Sequence, residues 1–212
     1  MEIEFAKNYF ILDPKKATFY VKEKWLLIAD VHWGKTHFFQ KHGLAISHNV
    51  LKKDLENLKG LIKKYNPTLI LCLGDLFHHE TVLKTSLGKV ITEFRNTTPT
   101  PMALIKGNHD IYIKNLPESW GIDCIKDHYS KNDLVFTHEL NKKIKMPQIY
   151  GHLHPKITLK GEGDYLSAPC FLKKRNELIL PAFSEFCGGK SVELKKSETA
   201  YICAEERVIS FP

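Results

Sequence analysis

Arginine is nearly absent from this 212-residue chain: of its 31 basic side chains, only Arg95, Arg175 and Arg207 carry a guanidinium. Guanidinium forks make the commonest base-specific and bidentate phosphate contacts, so base-specific reading of nucleic acid is disfavoured. Cysteine is sparse and unpaired. Cys72, Cys124, Cys170, Cys187 and Cys203 form an odd set without a CxxC spacing, against a disulfide framework or a zinc knuckle. Cys72 and Cys170 lie in apolar surroundings and are expected to pack. No apolar run reaches the roughly 18 residues of a membrane span. The opening MEIEFAKNYF lacks the basic region and apolar run of a signal peptide. No membrane partner and a cytoplasmic location are therefore expected. Repeats, low-complexity tracts and long Pro/Gly/Ser linkers are missing too, so residues 1–212 read as one domain.

What is present narrows the field further. Hydrophobic residues make up 43% and charged residues 26% of the chain, which excludes a disordered or fibrous chain. The lysine excess leaves a net charge of +7, which favours polyanionic partners through long-range attraction to the backbone rather than to bases. Histidine is abundant, with eleven copies. Lys52-Lys53, Lys63-Lys64, Lys142-Lys143 and Lys173-Lys174-Arg175 read as solvated faces unless they flank one cleft.

One pattern recurs through the first three quarters of the chain: an apolar run that stops at a polar cluster. Trp25–Ala29 stops at Asp30. Thr68–Leu73 stops at Gly74-Asp75. Met102–Ile105 stops near Gly107-Asn108-His109-Asp110. Leu134–Phe136 stops at Thr137-His138, and Ile149-Tyr150 at Gly151-His152-Leu153-His154. Continuous apolar runs of this length fit buried strands. Leu51, Leu55, Leu58, Ile62 and Tyr65 recur at helical spacing and predict a helix over 49–65, ended by Asn66-Pro67. Leu83, Leu87, Val90, Ile91 and Phe94 predict a second over 83–94, facing inward. Segment 37–48, with His37, His42 and His48 around Phe38, Phe39 and Gln40, reads as a loop that could line a substrate groove. After residue 155, short strands at 156–160, 178–182, 191–194 and 200–204, split by turn signals at 161–164 and Gly188-Gly189, predict a second sheet facing the first.

Ligands bind outside the carboxyl ends of strands in open parallel sheets. The five clusters are expected to converge there, bringing Asp30, His32, Asp75, Asn108, His138, His152 and His154 together. That is too many ligands for one four-coordinate zinc. It suits two divalent ions sharing a carboxylate, an arrangement adapted to phosphoryl transfer. Mixed nitrogen and oxygen donors favour manganese, with zinc, iron or nickel next, over calcium or magnesium.

Asp30-Val31-His32, Gly74-Asp75, Gly107-Asn108-His109-Asp110, His138 and Gly151-His152-Leu153-His154 together resemble the calcineurin-like metallophosphoesterases. The stretches DVHWGKT, GDLFHH, APCF and LPAF are similar to the PdeM-type, ligase-associated DNA damage response endonucleases. The resemblance implies an α/β fold, a four-layer α-β-β-α sandwich with two facing mixed sheets flanked by helices. It implies one ion on Asp30, His32, Asp75 and His154, and a second on Asp75, Asn108, His138 and His152. Asp75 would bridge them, and a hydroxide between the ions would attack phosphorus. His109 would hydrogen-bond a phosphate oxygen and protonate the leaving group, with Asp110 supporting that histidine or its loop. Lys35 and His78, with Asn108 and His109, are the candidate substrate-binding residues. DNA is the expected substrate, with a functional association with DNA ligase or helicase. Thr137 stands where many relatives have glycine, and Trp33 is bulkier than its usual counterpart and would shape the pocket mouth.

Two alternatives remain open at this point. The substrate could be a small nucleotide or another phosphoester. The fold could serve as a non-catalytic interaction scaffold. Gly34-Lys35-Thr36 imitates the end of a P-loop, but Ala29 stands where that signature needs glycine, so nucleotide binding by that route is rejected.

Overall fold

The computed structural model describes residues 1–41, 43, 49–160 and 165–211. His42, His48 and the turn signals at 161–164 lie outside them. The first sheet has seven strands in chain order: β1 (Glu2–Phe5), β2 (Asn8–Asp13), β3 (Ala17–Tyr20), β4 (Trp25–Ile28), β5 (Leu69–Leu73), β6 (Met102–Ile105) and β7 (Ile122–Ile125). β1 to β4 form an antiparallel meander; β4 to β7 run parallel. β1–β3 and β7 were not expected. β1 and β2 alternate buried and exposed residues at the sheet's edge, without the continuous apolar runs that identified the central strands.

Strand alternation divides the first sheet between two cores. Leu27, Leu71, Leu73, Ala103 and Ile105 face a core shared with the second sheet. Leu26, Ile28, Ile70, Cys72, Met102 and Leu104 face the helices. α1 (Lys35–Lys41) follows the loop after β4, and the helices in this cluster are α2 (Val50–Tyr65) and α3 (Ser86–Thr97). α2 buries Leu51, Leu55, Leu58 and Leu61, and ends where Asn66 turns left-handed at φ 43° and its N–H bonds Ile62 O. α3 starts later than predicted. Thr85 caps it by accepting from Leu87 N, and residues 80–84 form a 3₁₀ turn. Ile91 and Phe94 face inward as expected, whereas Val90 is exposed. Residues 35–41 are helical rather than loop. None of these helices is long and apolar enough to cross a membrane.

The second sheet contains β8 (His128–Lys131), β9 (Leu134–Thr137), β10 (Gln148–Tyr150), β11 (Pro155–Lys160), β12 (Tyr165–Lys173), β13 (Glu177–Ile179), β14 (Lys190–Ser191), β15 (Thr199–Ala204) and β16 (Arg207–Phe211). It therefore begins before residue 155: β9 and β10, read as tips of the first parallel set, belong here and pair with each other in parallel. Leu134, Phe136, Ile149, Phe171 and Leu178 fill the shared core. Among the described residues the α-helices lie on the first sheet only. Tyr150, Leu172 and Ile179 on the second sheet's other face are covered by Leu140, Leu153, Val192 and Leu194. Cys72 and Cys170 are fully buried, as expected.

Candidate metal centre

The loops after β4 and β5 continue side by side beyond their strands. Asp30 N bonds Gly74 O, His32 N bonds Asp75 O, and Trp33 pairs with Phe77. Trp33 is accordingly buried against Phe77 and Phe94 rather than standing at the pocket mouth. Asp110 ties in the loop after β6. Its buried carboxylate accepts from the backbone N–H groups of Gly107 (3.0 Å), Phe77 (3.0 Å) and Leu76 (3.3 Å). Burial pushes its pKa up to about 6 despite those bonds. Asp110 thus holds the loop that carries His109, and its carboxylate is spent on backbone amides.

Five of the seven expected ligands have left-handed backbones: Asp30 (φ 54°), His32 (48°), Asp75 (50°), His152 (62°) and His154 (47°). Each such residue costs on the order of 1–3 kcal/mol, so a cluster of them marks a site held open by the surrounding fold. Val31 and Leu153, between the ligands of each pair, point into apolar clusters. That turns the flanking side chains of both D-x-H and H-x-H toward the centre. A Cβ on Gly107 would overlap the Asp75 carboxylate, and one on Gly151 would overlap that of Asp30. Glycine at these positions is what lets the loops approach both acids.

The side chains form two adjacent groups, Asp30 with His32 and His154, and Asp75 with His138 and His152. Within each, the donor atoms lie within 4.8 Å of one another. Asn108 Oδ1 lies 3.0 Å from His138 Nε2, and so joins the second group. Asp75 Oδ2 stands 3.8 Å from His32 Nε2 and 3.6 Å from His138 Nε2, between the two groups. The seven expected ligands are therefore together, with Asp75 central.

The donor set fits cations. Carbonyl oxygens only accept, so the ring nitrogens facing them carry the protons. His138 Nδ1 donates to Leu73 O (3.0 Å), which directs Nε2 inward among Asn108 Oδ1, His152 Nδ1 and Asp75 Oδ2. His154 Nδ1 donates to Gly188 O (3.2 Å) and turns Nε2 toward Asp30 Oδ1, 3.2 Å away. That buried carboxylate oxygen receives no hydrogen bond of good geometry. Its fellow oxygen accepts from His152 N (2.8 Å). Burial first, then the charges of Lys35, His109, His154 and His78, push the His32 pKa down to about 2, which keeps the ring neutral for coordination. Burial opposes charging of His154 as well, but there Asp30 and the Gly188 carbonyl outweigh it and raise the pKa. Inward lone pairs beside two acids suit divalent ions.

His109 lies at the rim. Its N–H bonds Asp75 Oδ1 (2.9 Å), and its Nδ1 donates to His78 O (2.9 Å), leaving Nε2 for a substrate. His78 stacks on His109, with centroids 5.0 Å apart and rings 26° from parallel. Lys35 Nζ reaches Cys187 Sγ at 3.7 Å, and its charge acts on His32, His78 and His154. Asn108 and His152 are exposed and mark the open side.

The sequence did not reveal the segment that crosses this site from the second sheet. Phe183 N bonds Ala29 O, Cys187 Sγ faces Asp30 O, and Gly188 O orients His154. Asp54 of α2 anchors this strap through Ser184 Oγ (2.7 Å) and Glu185 N (3.1 Å). Lys16 anchors it through Ser184 O and Glu185 Oε1, both at 3.2 Å. The strap meets the centre through backbone atoms and Cys187 Sγ, which carry no motif; LPAF at its start was the one signal in the sequence.

The profile of a family described as calcineurin-like phosphoesterase matches residues 24–180. No curated protein matches the chain. Among solved structures, the nuclease MPE of Pseudomonas putida is 26% identical with a TM-score of 0.86, covering 99% of each chain. YfcE, a phosphoesterase from E. coli, is 14% identical with a TM-score of 0.45, covering 88% of this chain and 97% of that one.

Proposed function

Because the chain belongs to the calcineurin-like phosphoesterase family, we propose that it uses two divalent ions to hydrolyse phosphodiester bonds in DNA. The observation that carries this reading is the adjacency of the two donor groups, Asp30/His32/His154 and Asp75/His138/His152, with Asp75 between them. Asn108 completes the second set. The donor chemistry favours manganese, with zinc, iron or nickel next. DNA as substrate is supported by the similarity to a nuclease and by the +7 charge. A place in DNA repair, alongside a ligase or helicase in the cytoplasm, rests on the motif resemblance. Residues 1–212 act as one catalytic unit, since both donor groups draw on both sheets.

When bound, the two ions would supply an activated water and offset the negative charge of the phosphate. The chain's own residues do the rest. His109, its Nδ1–H fixed on the His78 carbonyl, would act as the imidazolium, offering Nε2–H to a phosphate oxygen, passing that proton to the departing oxygen and remaining as the neutral Nδ1–H ring. Lys35 adds positive charge at the rim, and Asp110 holds the His109 loop in register.

A hydrolysis panel tests the proposal. It compares single- and double-stranded DNA, bis(p-nitrophenyl) phosphate, a phosphomonoester and cyclic nucleotides, each with manganese, zinc, iron, nickel and magnesium. Metal-dependent turnover highest on DNA and the diester is expected. Faster turnover of cyclic nucleotides than of DNA under every metal would replace DNA with a small-molecule substrate. No metal-dependent turnover of any ester would overturn the reading.

A further inference from the structure

A line of aromatic rings leads away from His109, and its two phenylalanines belong neither to the metal-ligand groups nor to the hydrophobic clusters among the described residues. His78 stacks on His109 at 5.0 Å and 26°. Phe39 stacks on the same His78, at 5.9 Å and 28°. Phe186, on the strap, meets Phe39 edge-on at 6.2 Å. Among the described residues, neither Phe39 nor Phe186 belongs to any of the hydrophobic clusters of the fold. Both are half-buried, as is His78. Two large apolar rings held outside the core, Phe39 stacked in series with the rim imidazole and Phe186 edge-on to Phe39, need another account.

We propose that Phe39, His78 and Phe186 form an aromatic subsite that takes the base of the nucleoside leaving the scissile phosphate. The proposal rests on the phosphodiesterase reading above and extends it to a second contact. Its position follows from His109. That imidazole faces the departing oxygen, and its Nδ1 is bonded to the carbonyl of His78, so His78 borders the leaving side. Planar bases stack on aromatic faces whatever their sequence, and this agrees with a chain nearly devoid of arginine for base reading. The subsite draws on α1, the loop after β5 and the strap, so it forms only when those segments are assembled.

The test separates base recognition from chemistry. Thymidylyl-thymidine is compared with the same dinucleotide carrying an abasic residue on the leaving side, in wild type, Phe39→Ala and Phe186→Leu, with metal content and melting temperature measured on each protein. Base stacking is sequence-tolerant and worth about tenfold or more in binding. The wild-type kcat/KM ratio of base-bearing to abasic substrate should therefore be about ten or more. It should fall toward one in Phe39→Ala and partly in Phe186→Leu, and Phe39→Trp should restore it. A dinucleotide with 2-aminopurine on the leaving side provides a readout without turnover, because stacking quenches its fluorescence. Wild type should quench it, and Phe39→Ala should need about tenfold more protein for the same effect. A wild-type ratio near one, or equal loss of both substrates in folded, metal-replete Phe39→Ala, would overturn the subsite and leave the phosphodiesterase reading standing. Quenching without hydrolysis of either dinucleotide would do the reverse.

Discussion

The two sheets arm the metal centre differently. The first contributes both carboxylates, Asp30 and Asp75, with Asn108 and a single imidazole, His32. The second contributes imidazoles only: His138, His152 and His154. Negative charge thus enters from the parallel side, where the loops after β4, β5 and β6 are cross-tied by backbone pairing and by Asp110. Imidazole donors enter from the opposite side. Orientation crosses between them, since His138 is aimed by the Leu73 carbonyl and Asp30 is held by the N–H of His152. His154 is aimed from its own side, by Gly188 of the strap, and Asp75 also accepts from its own side, from His109 N. Charge is therefore a property of one sheet, whereas geometry requires both.

The strongest way to break this comparison is Asp75→Asn, which keeps the shape and removes the anion that stands between the two groups. Losing several kcal/mol of charge stabilisation predicts a fall in kcat/KM of at least about 10⁴-fold. Metal occupancy, read by elemental analysis, should also weaken. His152→Ala, which removes an imidazole donor from the second sheet, should cost less. Turnover of Asp75→Asn near the wild-type rate with controlled metal would remove Asp75 from its central role, and equal losses in the two variants would erase the distinction between the sheets.

Next in size is His109→Ala. This residue sits on the first sheet's rim but outside both proposed ion sets. Loss of a general acid predicts about a 10³-fold fall in kcat with metal content retained. An emptied site in this variant would make His109 a ligand. The group His32, His78 and His109 also has donor atoms within 4.8 Å of one another, so the metal measurement decides between the roles.

The uneven legibility of these two halves has a physical cause. Each ligand pair follows an apolar run and frames an apolar residue, buried Val31 or half-buried Leu153, so the side chains at 30, 32, 152 and 154 were visible as a pattern. Which sheet a run joins was not visible. β9 and β10 carry the same apolar-then-polar signature as β5 and β6, and only pairing partners distinguish them. β1–β3 were missed because β1 and β2 alternate buried and exposed residues and β3 spans only four residues. α1 was read as a loop because Lys35–Lys41 is too short for a helical period to register. The strap was missed because its contributions are a carbonyl at Gly188 and a ring at Phe186.

The smallest expected effect falls on the joint between the two halves. Asp54 of α2, on the first sheet's side, holds the strap of the second through Ser184 and Glu185. Burial pushes its pKa up to about 6, against the bonds from Ser184 and Glu185 and the charge of Lys16. The folded value lies above the unfolded 3.8, so the folded state holds this proton more tightly. The associated stability is complete below the unfolded value and is lost as pH rises through about 6. By pH 7 the loss is on the order of 2–3 kcal/mol. Asp54→Asn cannot titrate and keeps an acceptor for Ser184 Oγ. Its melting temperature relative to wild type should therefore rise between pH 4 and pH 7 by roughly 5 °C or more. A difference that stays flat across this range would mean that the strap is not held by a carboxylate under strain. A difference that falls would mean that Lys16 and the strap amides stabilise the charged form, and that the joint is a salt link rather than a protonated clasp.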